Sequence, residues 1–264
     1  TVSVLPSGSG TVKVNRFGAG SDDANDETPE DEAPEAESFP EGTPAIVRYA
    51  TPSSNPSNLP ELSVILVDDG DLADSVAAVS SIAFPVSVML NPAASDAADR
   101  MAAYRAAGIE VGLLATLPPS ATPSDVAIFF EAALATLPET VAVLDAGGET
   151  QADTEVIRET VAALAEDGRG LITVPRGLNT AQRVASESGV AAGVIYRDLD
   201  GEGQDARVIR RFMDQAAFRA RQDSGVILLG RVRNETVDAL AEWATGARAG
   251  QVALQPVSTI LTEN

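Results

Sequence analysis

Beyond Pro60 the chain alternates short apolar runs with longer stretches in which apolar residues recur at helical spacing. The runs predict strands near 62–67, 85–90, 109–114, 140–144, 170–174, 192–196, 225–229 and 251–255. The stretches between them predict helices near 72–82, 95–107, 123–136, 153–167, 179–188, 205–223 and 234–246. Punctuation agrees with the period. Thr122-Pro123 reads as an N-cap followed by proline at the first helical position, and Gly108 and Gly168 stand where helices should stop. Runs such as Val64-Ile65-Leu66-Val67 and Val226-Ile227-Leu228-Leu229 show no polar alternation, as expected of strands covered on both faces. Parallel neighbours need a crossover helix between them, so this succession predicts an α/β fold with a parallel sheet. A doubly wound sheet and a barrel both satisfy the pattern. Strand number and even spacing favour an irregular (β/α) barrel of seven to eight parallel strands.

The first 60 residues read differently. Residues 1–20 suggest an edge strand or an extended tail. From Asp22 to Glu41 there are ten acidic residues and no Lys or Arg. Such a stretch buries too little apolar surface to offset its ordering entropy, and its charges repel one another. The segment from Thr51 to Pro60 continues with Ser, Asn and Pro. The expected organisation is therefore a disordered acidic and Pro/Ser-rich linker over 1–60 and a folded domain over 61–264. The chain opens on Thr1 rather than Met, leaving room upstream for a signal peptide or membrane anchor to which the linker would be the tether.

Composition narrows the chemistry. A formal charge of −21 repels phosphate backbones and anionic lipid, so neither nucleic acid nor direct membrane binding is expected. With no Cys there is no thiolate nucleophile and no Cys-bound zinc, and with no His there is no Ser-His-Asp, Cys-His or His-zinc site. A Ser–Lys pair has little to draw on, because Lys13 lies outside the folded domain. Neither dinucleotide nor P-loop glycine spacing occurs, and Gly147-Gly148 reads as a turn.

Ligands of parallel α/β folds bind at the carboxyl ends of the strands. In strand order these positions carry Asp68 and Asp69, Asn91, Thr116, Asp145, Arg176, Arg197 and Asp198, Arg231, and Ser258. Asp68 and Asp69 are the candidate catalytic pair, able to bind a cation or to divide acid and base roles. The competing reading has Asp69 or Asp71 capping the next helix while Asp68 pairs with a strand-end arginine. Arg176, Arg197 and Arg231 could form a cradle for a carboxylate, phosphate or sugar hydroxyl face, with Asp145, Asp198 and Asp200 as further ligand-binding candidates, or could simply bridge to Asp68, Asp69, Asp145 and Asp198. The run from Asp198 to Asp205 reads as an acidic loop rather than a calcium site. Trp243 is expected to pack in the core.

Leu62-Ser-Val-Ile-Leu-Val-Asp-Asp-Gly70 resembles the opening strand of the divergent polysaccharide deacetylases. The likeness continues through Phe84-Pro85-Val-Ser-Val-Met-Leu90, Gly108-Ile-Glu-Val111, Arg197-Asp198-Leu199-Asp200, Val226-Ile-Leu-Leu-Gly-Arg231, Thr236, Leu240-Ala-Glu-Trp243 and Pro256-Val257-Ser258. The resemblance implies an irregular (β/α) barrel acting on acetylated carbohydrate, with a metal held by one Asp and two His while a second Asp serves as base. Asp68 and Asp69 match the aspartates. The histidine positions fall on Ala115-Thr116, on Asp145 to Gly148 and on Arg231 in the Gly-His position. This pattern implies a histidine-less member without a metal, in which the Arg231 guanidinium supplies charge near Asp68 and Asp69. Its expected partner is a glycan or cell-envelope component, in the periplasm or cell envelope. An active hydrolase with a weakly bound divalent ion such as zinc, and a purely structural module, are the alternatives.

Overall fold

A computed structural model describes residues 39–148, 151, 153–175 and 179–263. The expectations for residues 1–38 and for Arg176 lie outside the described residues. Within them every predicted strand is present: β1 (Glu61–Asp68), β2 (Ser87–Leu90), β3 (Glu110–Leu114), β4 (Ala142–Asp145), β5 (Gly170–Thr173), β6 (Ala192–Asp198), β7 (Val226–Arg231) and β8 (Ala253–Leu254). All pairings are parallel, in the order β2-β3-β4-β5-β6-β7-β1-β8, and a further β1–β2 pairing closes seven strands into a barrel. The extra strand fits because β1 divides one edge: Glu61 and Leu62 pair with β8, and Ile65 to Asp68 pair with β2.

The predicted helices lie between the strands, at Ser75–Ser80, Ala97–Ala106, Pro123–Thr136, Thr154–Asp167, Thr180–Glu187, Ala206–Arg219 and Asn234–Ala244, labelled α2 to α8. The start of α4 is the predicted one: Thr122 accepts from the Asp125 N–H while the Asp125 carboxylate accepts from the Thr122 N–H. Gly168 closes α5 in the left-handed region at φ 68°, where a side chain would be strained. Val64, Leu66, Val88, Leu90, Val111, Leu113 and Leu228 belong to the layer beneath the helices, while Ile65, Val67, Met89, Leu144, Ile172, Ile195, Ile227 and Leu229 fill the barrel. This alternation is why the strands read as apolar without interruption. Trp243 is buried as expected, edge-on to Phe84 with its indole N–H on Asp214.

Two short helices not anticipated from the pattern close the amino-terminal end of the barrel. They are α1 (Ala45–Arg48) and α9 (Val257–Thr262), whose Ile46, Val257, Ile260 and Leu261 join the interior cluster. Glycine lets them approach: a Cβ on Gly170 would lie 2.7 Å from Leu261 Cδ1, and one on Gly193 2.8 Å from Leu261 Cδ2. The boundary expected at residue 61 is therefore displaced toward the N-terminus, since the compact unit begins at Phe39 and Ile46 is part of its core. Ser258 also moves. It lies at this floor rather than at the ligand-binding end, because β8 pairs only with the first residues of β1 and the chain then turns under the barrel.

The floor holds one fully buried acid, Glu110, which accepts from the Ser87 hydroxyl at 2.8 Å, from the Ser258 N–H at 3.1 Å, from the Ser258 hydroxyl and from the Thr51 N–H. Burial pushes its carboxyl above the usual range against the pull of these donors.

Candidate functional site

The direction each strand-end residue points follows from the alternation within its strand. Asp68 continues the series Val64, Leu66, so its carboxylate turns away from the barrel axis into the layer beneath α3. There Oδ1 accepts from Arg100 Nη1 at 3.0 Å and from the Gly70 N–H at 3.0 Å, and Oδ2 accepts from the Tyr104 hydroxyl at 2.8 Å. The Asp68 side chain is 0% exposed. Arg100 also donates to Asp96 at 2.8 Å. Burial weakens the Arg100 charge, but the hydrogen bond to Asp96 and the charge of Asp68 more than restore it. Burial raises the Tyr104 hydroxyl well above its ordinary range, so it stays a donor.

Asp69 is exposed. The two aspartates are thus parted by the turn of the chain: one is buried behind the strand, the other faces solvent. Neither Asp69 nor Asp71 caps α2, whose N-cap is Asp74 without a side-chain cap bond. The arginine on Asp68 comes from a helix rather than from a strand end. A stripe signal was present, since Asp96, Arg100 and Tyr104 recur every fourth residue along one face of α3.

A second network joins β6, β7 and α8. Arg231 Nη1 donates to Asp198 Oδ1 and Asp200 Oδ1, both at 2.7 Å, and Nη2 donates to Asp198 Oδ2 at 3.0 Å. Asp200 Oδ2 accepts from the Arg231 N–H at 2.9 Å and from the Thr236 hydroxyl at 2.6 Å, so this buried acid has both oxygens occupied. Asp198 also accepts from the N–H groups of Asp200 and Gly201, which fold the acidic loop into a tight turn. Burial works against the Asp198 charge, yet the Arg231 hydrogen bonds and charge hold its carboxyl below the usual range. Hydrogen bonding to Asp198, opposed by burial and reinforced by Asp200, holds Arg231 protonated more firmly than a free guanidinium. The charge expected beside Asp68 and Asp69 is therefore committed to Asp198 and Asp200.

The three-arginine cradle is not assembled by the residues described. A bulge at Tyr196 shifts the register so that Arg197 pairs opposite Leu228 and Asp198 opposite Leu229. Asp198 then shares the inward direction of Leu229, while Arg197 turns outward and lies over the Phe212 ring of α7 at 4.5 Å. Asp145 is fully buried at the end of β4, accepting from the Gly148 N–H at 2.7 Å with Gln151 Nε2 at 3.5 Å. It shapes the β4–α5 turn.

The donors needed for the metal that the resemblance implies do not fit. Asp68 is engaged by Arg100 and Tyr104, the chain has no His, and among the described residues no three His, Cys, Asp or Glu side chains come together to hold an ion. What the carboxyl end of the barrel offers is hydrogen-bonding capacity: the exposed Asp69 and the partly exposed Arg231 and Asp198, whose side chains are 22% and 38% accessible.

Seven parallel strands thus close into a (β/α) barrel with aspartates and an arginine at their carboxyl ends. The chain belongs to the divergent polysaccharide deacetylase family, whose model matches residues 65–261. Among solved structures it is similar to an uncharacterised protein from Agrobacterium tumefaciens, with a TM-score of 0.70 and 16% identity over 82% of this chain and 95% of that one. It is also similar to a protein from Enterococcus faecalis named for cellobiose-phosphate cleavage, with a TM-score of 0.53 and 12% identity over 77% and 100% of the two chains. A family 4 carbohydrate esterase from Streptomyces lividans, in complex with acetate, matches more loosely, with a TM-score of 0.44 and 14% identity over 75% and 92%. At these identities the likeness is one of fold. No curated protein matches the chain.

Proposed function

We propose that this domain is a catalytically degenerate member of its family that binds a glycan or another cell-envelope component at the strand-end face of the barrel. One observation carries the reading: Asp68 is enclosed behind β1 by Arg100, Tyr104 and the Gly70 N–H. With both oxygens engaged and the side chain fully enclosed, Asp68 is out of reach of a substrate, and no imidazole is present to take its place. Asp69, Asp198 and Arg231 remain to meet hydroxyl and amide groups, the usual polar complement of a sugar. Family membership supports placing the domain outside the cytoplasm; no helix among the described residues is long and apolar enough to cross a membrane.

Acetate release from acetylated oligosaccharides, assayed with and without added zinc, tests degeneracy. The expected outcome is no release above background. Release that disappears in Asp69→Asn would establish a residual hydrolase instead, with Asp69 as the group that retained a role. Calorimetry against the same oligosaccharides tests binding, which should weaken in Arg231→Met.

A further inference from the structure

On the outward face of β6, which α6 precedes and α7 follows, Tyr196 is exposed. Three guanidinium groups gather there around two rings. Arg197 lies over Phe212 at 4.5 Å and over Tyr196 at 5.9 Å, Arg211 over Phe212 at 5.7 Å, and Arg219 over Tyr196 at 5.9 Å. Arg219 is paired with Asp223, and among the described residues no acid pairs with Arg197 or Arg211. Arg197 Nε is buried without a hydrogen-bond partner among the described residues. A desolvated donor on a cation is costly to leave unmet, and an anion would complete it. In a chain of net charge −21 the concentration is the more pointed.

Beside it lies a groove of about 550 Å³ whose lining includes Tyr196, Arg211, Phe218, Arg219 and Arg248 together with one acid, Asp214, which pairs with Arg248 and accepts from the Trp243 indole N–H. Phe218 is 60% exposed and forms the ridge between this groove and a second hollow of about 320 Å³ floored by Ala217. The geometry points to a docking site for an acidic polypeptide segment in which carboxylates alternate with apolar side chains. Carboxylates would meet Arg211, Arg219 and the donors of Arg197, and an apolar side chain would cover the exposed Phe218 ring. The acidic remainder of the surface selects for a narrow ligand. A duplex or an anionic bilayer would extend beyond the patch and meet repulsion, and a sugar acid would set hydroxyls against the Phe218 face.

The test uses the full chain and fluorescence anisotropy with a labelled peptide of alternating Glu and Leu. Binding that weakens with salt is expected, and that falls about tenfold in the doubly substituted Arg211→Ser, Phe218→Ser protein. Both residues are exposed, so the fold should be retained, which circular dichroism checks; Arg219→Ser is the second variant. A control peptide with Ser in place of Leu should bind more weakly. The proposal is overturned if the Glu-Leu peptide does not bind, if the variants bind it as well as the parent does, or if oligogalacturonate or phosphatidylglycerol vesicles compete better than the peptide itself.

Discussion

The two ends of the barrel each bury carboxylates but balance them differently. At the strand-end face Asp68 is opposed by Arg100, and Asp198 and Asp200 by Arg231, so each of these acids has a guanidinium as a partner. At the floor Glu110 has hydroxyl and N–H donors and no arginine among its partners. A cation lowers a carboxyl's pKa more effectively than neutral donors offset burial, which explains why Asp198 is shifted down and Glu110 up. The lesson is that Asp68, Asp198 and Asp200, acids placed where this fold class invites a catalytic reading, are here members of ion pairs.

The contrast can be broken at either end. Arg100→Met should have the largest effect, about 3–5 kcal/mol of stability by urea unfolding, because it leaves a fully enclosed carboxylate without its cation. A loss below about 1 kcal/mol would mean that Tyr104 and the Gly70 N–H suffice. Arg231→Met should cost less, about 2–3 kcal/mol, since Asp200 keeps its Thr236 and backbone donors and Asp198 is partly in water. Ser258→Ala removes one hydroxyl donor from Glu110 and should cost about 1–2 kcal/mol in thermal or urea unfolding.

Glu110→Gln should have the smallest effect, but a diagnostic dependence on pH. The folded Glu110 carboxyl titrates above its unfolded value of about 4.3, so the folded state binds more protons across that interval. Its stabilising contribution is complete below that value and is lost as pH rises through the folded one. Parent stability relative to Glu110→Gln should therefore decline as pH rises above the unfolded value. Asp198 works in the opposite sense: its folded carboxyl is depressed, so its contribution is present above the unfolded value of about 3.9 and is lost as pH falls through the folded one. Equal pH slopes for the parent and Glu110→Gln would refute the assignment at the floor.

Most of the fold was legible because covered parallel strands and the helices between them have distinct periods, and because Thr122-Pro123 and Gly168 mark helix ends by local chemistry. The helices α1 and α9 were not, since four and six residues are too few to show a helical repeat. The strand-end positions were found, but their directions were not. The bulge at Tyr196 reverses the alternation that would have placed Arg197 inward, and nothing in the local pattern announces it. Likewise the partner of Asp68 lies 32 residues away on a helix, a distance that composition and spacing do not bridge.

The plug at the barrel floor has a consequence for how the chain is made. Ile46 and Leu261 come from opposite ends of the described chain, and the Ser53 and Thr259 hydroxyls meet at 3.0 Å across 206 residues. During synthesis the seven closing strands are therefore made before α9, and the barrel interior stays unsealed until it arrives. Contacts so distant along the chain slow folding and lengthen the time during which unsatisfied apolar surface is available to neighbours. The nascent barrel thus depends on α9 for protection that its seven strands cannot give one another.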